Sequence, residues 1–139
     1  KFYYFDCGVF SALRPFGPLD KRDEISGPAL EGLVYQHLKA WLAYSNYNAG
    51  IFFWRTRTGL EVDFVIYGDC GFYAFEVKNT DKIHNNDLKS LKAFREDYPQ
   101  CTVCFLYRGE QKTSENGIPC LPITDFLLNL KPKQTIELF

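Results

Sequence analysis

The sequence predicts a mixed α/β domain with the core order helix, three strands, helix, strand. Three observations carry that expectation. Apolar residues recur at helical spacing between Leu30 and Leu42. Three strand-like runs then follow one another between Ile51 and Lys78, separated only by short glycine-containing breaks. Last, an amphipathic helical pattern over Asp87 to Tyr98 leads into an almost continuously apolar run, Gln100 to Tyr107, as a buried strand requires.

At 139 residues the chain fits one domain, 1–139, and 46% hydrophobic with 17% aromatic residues is ample for a packed core. That composition excludes a disordered chain. No apolar run reaches the ~18–20 residues of a membrane span, and no signal-peptide pattern opens the chain, so no membrane partner is expected. A net charge of −1 argues against tight, autonomous nucleic-acid binding, which rests on neutralised phosphates. Five cysteines without a small-domain spacing favour a reduced, cytoplasmic setting. Cys101 and Cys104 form a C-x-x-C, but inside a strand residues three apart face opposite ways, which favours core packing over zinc or redox work. The chain contains no Met, even at position 1, and begins on a strand-like run. We therefore expect a longer protein with a segment preceding Lys1.

In order, Lys1 to Phe5 reads as a strand and Val9 to Leu13 as either a helical turn or a strand end. Arg14 to Gly27, with its prolines, glycines and the charges Lys21-Arg22-Asp23-Glu24, reads as a surface loop. Ser26 or Gly27 is the expected cap of a helix running to about Tyr44, with Pro28 in its first turn. Leu30, Leu33, Val34, Leu38, Trp41 and Leu42 form its buried stripe, and His37, one position off it, reads as a partly buried packing residue. Ile51 to Thr56, Glu61 to Tyr67 and Phe72 to Lys78 are the three strands. Pro99 ends the next helix. Arg108 to Gly117 reads as a polar loop, and Ile118 to Ile123, interrupted by Pro119 and Pro122, as an edge strand at best. Thr124 or Asp125 opens a short helix to Leu130, and the tail to Phe139 carries no clear pattern.

Register makes the second hairpin chemically interesting. A two-residue loop at Asp69-Cys70 would pair Gly68 with Gly71 and bring Asp63 opposite Glu76. Val62, Phe64 and Ile66 would then share one face, and Asp63, Glu76 and Lys78 the other. Opposed carboxylates repel at ~4.5–5.5 Å between Cβ atoms. A hard divalent cation between them reverses that sign.

An acid on a hairpin strand, then acid-x-Lys on the next strand, then an amphipathic helix resembles the PD-(D/E)XK nuclease superfamily. The residues carrying the likeness are Gly59 to Val65 (G-L-E-V-D-F-V), Phe75-Glu76-Val77-Lys78, and Glu31 as the acid on the upstream helix. A narrower likeness joins Lys1 to Gly8, Leu30-Glu31-Gly32-Leu33-Val34 and Phe53-Trp54-Arg55-Thr56. It resembles the nuclease-like C-terminal domain of a group of prokaryotic AAA-type ATPases. The resemblance implies a restriction-endonuclease-like mixed sheet flanked by helices, an ATPase domain earlier in the same chain, and DNA as a possible partner. The Gln-x-x-x-Tyr pair often found on the helix after the Lys strand in RecB-type members is absent.

The resemblance also implies roles. Asp63 and Glu76, with Glu31 directly or through water, would hold Mg²⁺ or Mn²⁺, and Lys78 would stand beside the attacking water. Each has a plainer reading: Glu31 as an acid complementing the helix dipole, Lys78 as an ion-pair partner of Glu76 or Asp63. Glu61 is expected in solvent. Arg55, Arg57 and Lys82 could touch backbone phosphates or serve as ordinary surface charge. Two functions of different class remain: a metal-dependent phosphodiesterase of the DNA endonuclease kind, or a catalytically silent module that binds nucleic acid or protein or regulates its ATPase.

Overall fold

The computed structural model describes Tyr3, Asp6, Gly8, Val9, Ala12 and residues 22–138, with side chains of the continuous segment from Ser26 onward. The strand expected at 1–5 and the first part of the loop expected at 14–27 lie outside these residues, apart from Tyr3, which is in no regular element; the rest of that loop, 22–27, is helical instead, as are Gly8, Val9 and Ala12.

Three layers form the domain. Helix α1 (Arg22–Ser45) is followed by strands β1 (Ala49–Arg55), β2 (Glu61–Gly68) and β3 (Gly71–Lys78). A 3-10 turn (Asn85–Leu88) runs into α2 (Lys89–Asp97), then β4 (Thr102–Tyr107), β5 (Thr113–Glu115), β6 (Ile118–Pro122) and α3 (Ile123–Asn129). The six strands lie in the order β1-β2-β3-β4-β6-β5. β1, β2 and β3 are antiparallel, β3-β4 and β4-β6 parallel, β6-β5 antiparallel. This is the mixed α/β architecture expected, and it is compatible with a restriction-endonuclease-like fold.

Two cores sandwich the sheet. Val34, Leu38, Trp41 and Leu42 of α1 and Phe126 of α3 pack on Phe64, Ile66, Phe75 and Leu106. Leu88, Leu91 and Phe94 pack on Val62, Val65, Ala74 and Phe105 on the other side. Cys101 joins the second core and Cys104 the first, as the alternation of a strand demands. Both are free and buried, as are Cys70 and Cys120. Burial in apolar surroundings pushes the Cys101 thiol up to about 12 and raises that of Cys104 as well.

Several expectations need correction. α1 begins at Arg22 rather than at a cap on Ser26 or Gly27, so Pro28 is inside it. A proline disfavours the α conformation of its predecessor through that residue's Cβ, and here the predecessor is Gly27. Leu33 is 36% exposed and His37 is exposed, its Nδ1 against the Leu33 carbonyl at 2.9 Å. The segment read as a polar loop contains β5, which pairs Glu115 with Ile118 around Asn116 (φ 54°) and Gly117 (φ 69°). Two positive φ values in a two-residue Asn-Gly loop are the geometry that suits a twisted hairpin. Arg95 fastens this hairpin to α2, donating to the Gly117 carbonyl at 2.7 Å and to that of Asn116 at 3.2 Å. β6 is consequently not an edge strand. Its prolines are tolerated because the ladder with β4 covers only Cys120 to Pro122 and ends on the second of them. The tail is held by the Trp41 indole N–H, which donates to the carbonyls of Lys131 and Gln134.

Candidate functional site

The β2-β3 hairpin closes as its glycines suggest, with Gly68 opposite Gly71 and each pair following in step to Phe64 opposite Phe75. There the ladder stops, one pair short of Asp63 and Glu76. The reason lies on the other side of β2. Phe52 and Trp54 of β1 are two residues apart, but their partners Val65 and Val62 are three apart. β2 therefore carries one extra residue in the Asp63-Phe64 segment, a β-bulge. The bulge breaks the expected alternation: Val62 joins Val65 in the α2 core, away from Phe64 and Ile66. It also frees the next backbone donor of β3, and the Asp63 carboxylate takes it, Oδ2 accepting from Val77 N–H at 3.0 Å.

Asp63, Glu76, Val77 and Lys78 line a cleft of about 490 Å³ at the carboxyl end of β3. The second and third turns of α1 form another wall, with Gly27, Pro28 and Glu31, so Glu31 lies beyond the helix start that its dipole reading requires. Asn79, Thr80, His84 and Asp87 complete it from the loop that leads into α2. Glu31 reaches the site because α1 packs across the β2-β3 hairpin, and it accepts a hydrogen bond from the Tyr3 hydroxyl. The Tyr3 ring in turn stacks on Tyr35 at 4.5 Å and tilts against Phe64 at 5.8 Å. The four residues expected to hold the ion and to flank the attacking water thus line one cleft.

Lys78 is half-exposed, and its Nζ lies 3.5 Å from Asp87 Oδ1. Asp87 is the better buried of the two and is itself fixed, its Oδ2 accepting from His84 N–H at 3.0 Å. Sequence reading gave Asp87 only as a helix start; its reach to Lys78 depends on the 3-10 turn that precedes α2. Asn79 is held by the Ser26 hydroxyl at 2.5 Å and by Arg108 Nη1 at 3.3 Å, so the loop floor is tied to both α1 and β4. None of the residues expected to meet phosphates lines the cleft. Arg55 pairs with Glu61 at 4.0 Å, Arg57 is exposed in the β1-β2 turn, and Lys82 is exposed in the loop after β3. Glu61 is half-buried rather than in solvent.

The donor set suits a hard divalent cation: Glu31, Asp63 and Glu76 offer carboxylate oxygens, and no thiol lines the cleft. Among the described residues no group of three or more His, Cys, Asp or Glu side chains is close enough to share one ion. An ion here would be held by one or two carboxylates with water filling the remaining positions, which is how Mg²⁺ is commonly bound.

Fold and cleft together define a mixed α/β domain, compatible with a restriction-endonuclease-like fold, with an acidic, lysine-bearing cleft at the open end of its central hairpin. Residues 26–126 match the family described as a domain of unknown function, DUF4143, and the chain belongs to that family. The match runs from the second turn of α1 into α3 and includes every residue of the cleft. No curated protein matches the chain. Among the described residues no helix is long and apolar enough to cross a membrane.

Proposed function

We propose that the cleft is a divalent-cation-dependent phosphodiester-hydrolysing site, of the DNA endonuclease kind, in a domain that follows an AAA-type ATPase in a longer cytoplasmic protein. The observation that carries the reading is the convergence of Glu31, Asp63, Glu76 and Lys78 on one cleft from two different elements. Helix α1 and the β2-β3 hairpin have no sequence reason to bring these charges together, and four acids beside one lysine in a half-buried cleft are costly unless a cation is admitted. Mg²⁺ or Mn²⁺ bound there would lower the pKa of a water and polarise the phosphoryl oxygens. Asp63 and Glu76 would orient the ion from neighbouring strands, with Glu31 acting across the cleft. Lys78 would leave Asp87 to stabilise charge developing on the phosphoryl group. Arg108, exposed beyond β4 and in contact with Asn79 of the cleft wall, could meet a backbone phosphate. Arg55, Arg57 and Lys82 would act only on a duplex long enough to extend past the cleft.

A second reading has its own observation. Asp63 is engaged by Val77 N–H, Lys78 by Asp87 and Glu31 by Tyr3, which is how a catalytically silent module that regulates its ATPase or binds a partner would be built. The two are separated by incubating the full-length protein with Mg²⁺ or Mn²⁺ and duplex, single-stranded and branched DNA or RNA. The nuclease reading expects cleavage that EDTA stops and that Asp63→Asn and Lys78→Ala each reduce by about 10²–10³-fold. Cleavage that survives both substitutions belongs to a contaminant. No cleavage on any substrate favours the silent module.

A further inference from the structure

We propose that two copies of this chain associate through β1, the outer edge of one strand pairing antiparallel with the same strand of the second copy about a two-fold axis at Phe52. The sheet has two ends, and they are built differently. β5, at one end, is three residues long, and its Thr-Ser-Glu sequence follows Lys112. Short, polar, charge-flanked edges are how proteins keep sheets from pairing with one another. β1, at the other end, is seven residues of A-G-I-F-F-W-R, with no proline, lysine or bulge of its own. Phe52 is 56% and Phe53 57% exposed, and Tyr67 of β2 beside them is 63% exposed.

Alternation sends these rings to both faces of the same edge. Trp54 belongs to the α2 core, so Phe52 and Gly50 share that face; Ala49 and Ile51 pack on the α1 core, so Phe53 shares theirs. A partner lying on one face would cover one phenylalanine and leave the other. An added strand covers both.

The backbone is also disposed for it. Asp69 N–H donates to the Asn48 carbonyl at 3.3 Å, and Thr56 N–H to that of Leu60 at 2.9 Å. Counting in twos from each end, Asn48, Gly50, Phe52, Trp54 and Thr56 turn their backbone groups toward β2. Ala49, Ile51, Phe53 and Arg55 turn theirs outward, where no other described strand lies. A two-fold axis at Phe52 pairs Ile51 with Phe53 of the second copy and Ala49 with its Arg55, so every outward group is used. The single charge of the strand meets an alanine rather than its own like. Gly50 falls opposite Trp54, with the Phe52 ring of its own strand lying over the glycine, and the two Phe52 residues meet at the close, non-hydrogen-bonded spacing. The three rings leave roughly 350 Å² open per chain at about 200 Å² each. With the backbone edge this stays at the small end of specific interfaces, where weak association is the rule.

Sedimentation of the 139-residue chain from micromolar to several hundred micromolar should show a monomer–dimer equilibrium. Phe52→Lys places two ammonium groups face to face on the axis and should weaken association at least about tenfold, with unchanged circular dichroism. Oxidised Phe52→Cys should give a disulfide-linked dimer, because the axial pair sets Cβ atoms about 4.5 Å apart. Phe53→Cys, whose counterpart is Ile51, should not cross-link above the wild-type background. A chain that stays monomeric throughout, a dimer indifferent to Phe52→Lys, or equal cross-linking at both positions would overturn the assignment. A monomer would leave this edge to a strand from a different protein.

Discussion

Replacing Asp63 separates the two jobs its carboxylate performs. Asp63→Ala removes the acceptor of Val77 N–H, a 3.0 Å bond between a half-buried carboxylate and a half-buried strand. A backbone donor left without its charged acceptor costs about 2 kcal/mol. For a domain of this size that is a fall in Tm of roughly 6 °C, at about 3 °C per kcal/mol. Asp63→Asn keeps a carbonyl oxygen for Val77 and removes a negative charge from a cleft shared with Glu31, Glu76 and Asp87. The weaker hydrogen bond and the relieved repulsion oppose each other, so the net change should stay within about 0.5 kcal/mol. Differential scanning fluorimetry in EDTA measures both. Adding Mg²⁺ at ten times its Kd should then raise the wild-type stability by about 1.4 kcal/mol, or roughly 4 °C, and leave Asp63→Asn unmoved. An Asp63→Ala protein melting within a degree of wild type in EDTA would refute the role given to the bulge. Equal Mg²⁺ responses in wild type and Asp63→Asn would place the cation elsewhere.

Two further outcomes follow from the fold. Gly117→Ala puts a Cβ at φ 69°, where its nearest neighbour is Arg95 Nη1 at 3.7 Å, so the cost is backbone alone; about 1 kcal/mol and a Tm roughly 3 °C lower are expected by calorimetry. Cys101, raised from 9.0 to about 12 by burial, keeps its proton in the folded chain while the unfolded chain loses it. Its contribution is therefore complete below pH 9 and disappears as pH rises toward 12. Alkaline melts of Cys101→Ala should show a shallower decline than wild type across that window, and parallel declines would contradict the assignment.

Much of the hairpin was legible because its signals are local. Gly68 and Gly71 bracket a two-residue loop, and register then follows by counting. The bulge was not legible, since β1 imposes it: Phe52 and Trp54 choose partners three residues apart, and nothing within Glu61 to Gly68 announces the extra residue. β5 was overlooked although Asn116-Gly117 is a strong hairpin signal, because a three-residue strand of Thr, Ser and Glu has no apolar pattern to attract notice. Pro119 and Pro122 argued for an edge strand; only the limits of the β4-β6 ladder show why an interior strand accommodates them. In α1 the helical period placed Leu33 in the buried stripe. The sheet covers a narrower arc, which buries Val34 and Leu38 and leaves Leu33 at its rim.

The sequence by itself determined the order of the core elements from α1 to β4, the two-sided burial of the central strands and four of the residues that line the cleft. Those properties depend on periodicities of two and 3.6 residues and on turn glycines, all written within a few positions of one another. Tertiary structure alone decided what surrounds those side chains. Asp63 meets Val77 N–H because a neighbouring strand forces a bulge, Lys78 meets Asp87 because a 3-10 turn folds back beside β3, and Glu31 enters the cleft because α1 crosses the hairpin. These placements join residues at least 9 positions apart through packing that no local propensity encodes.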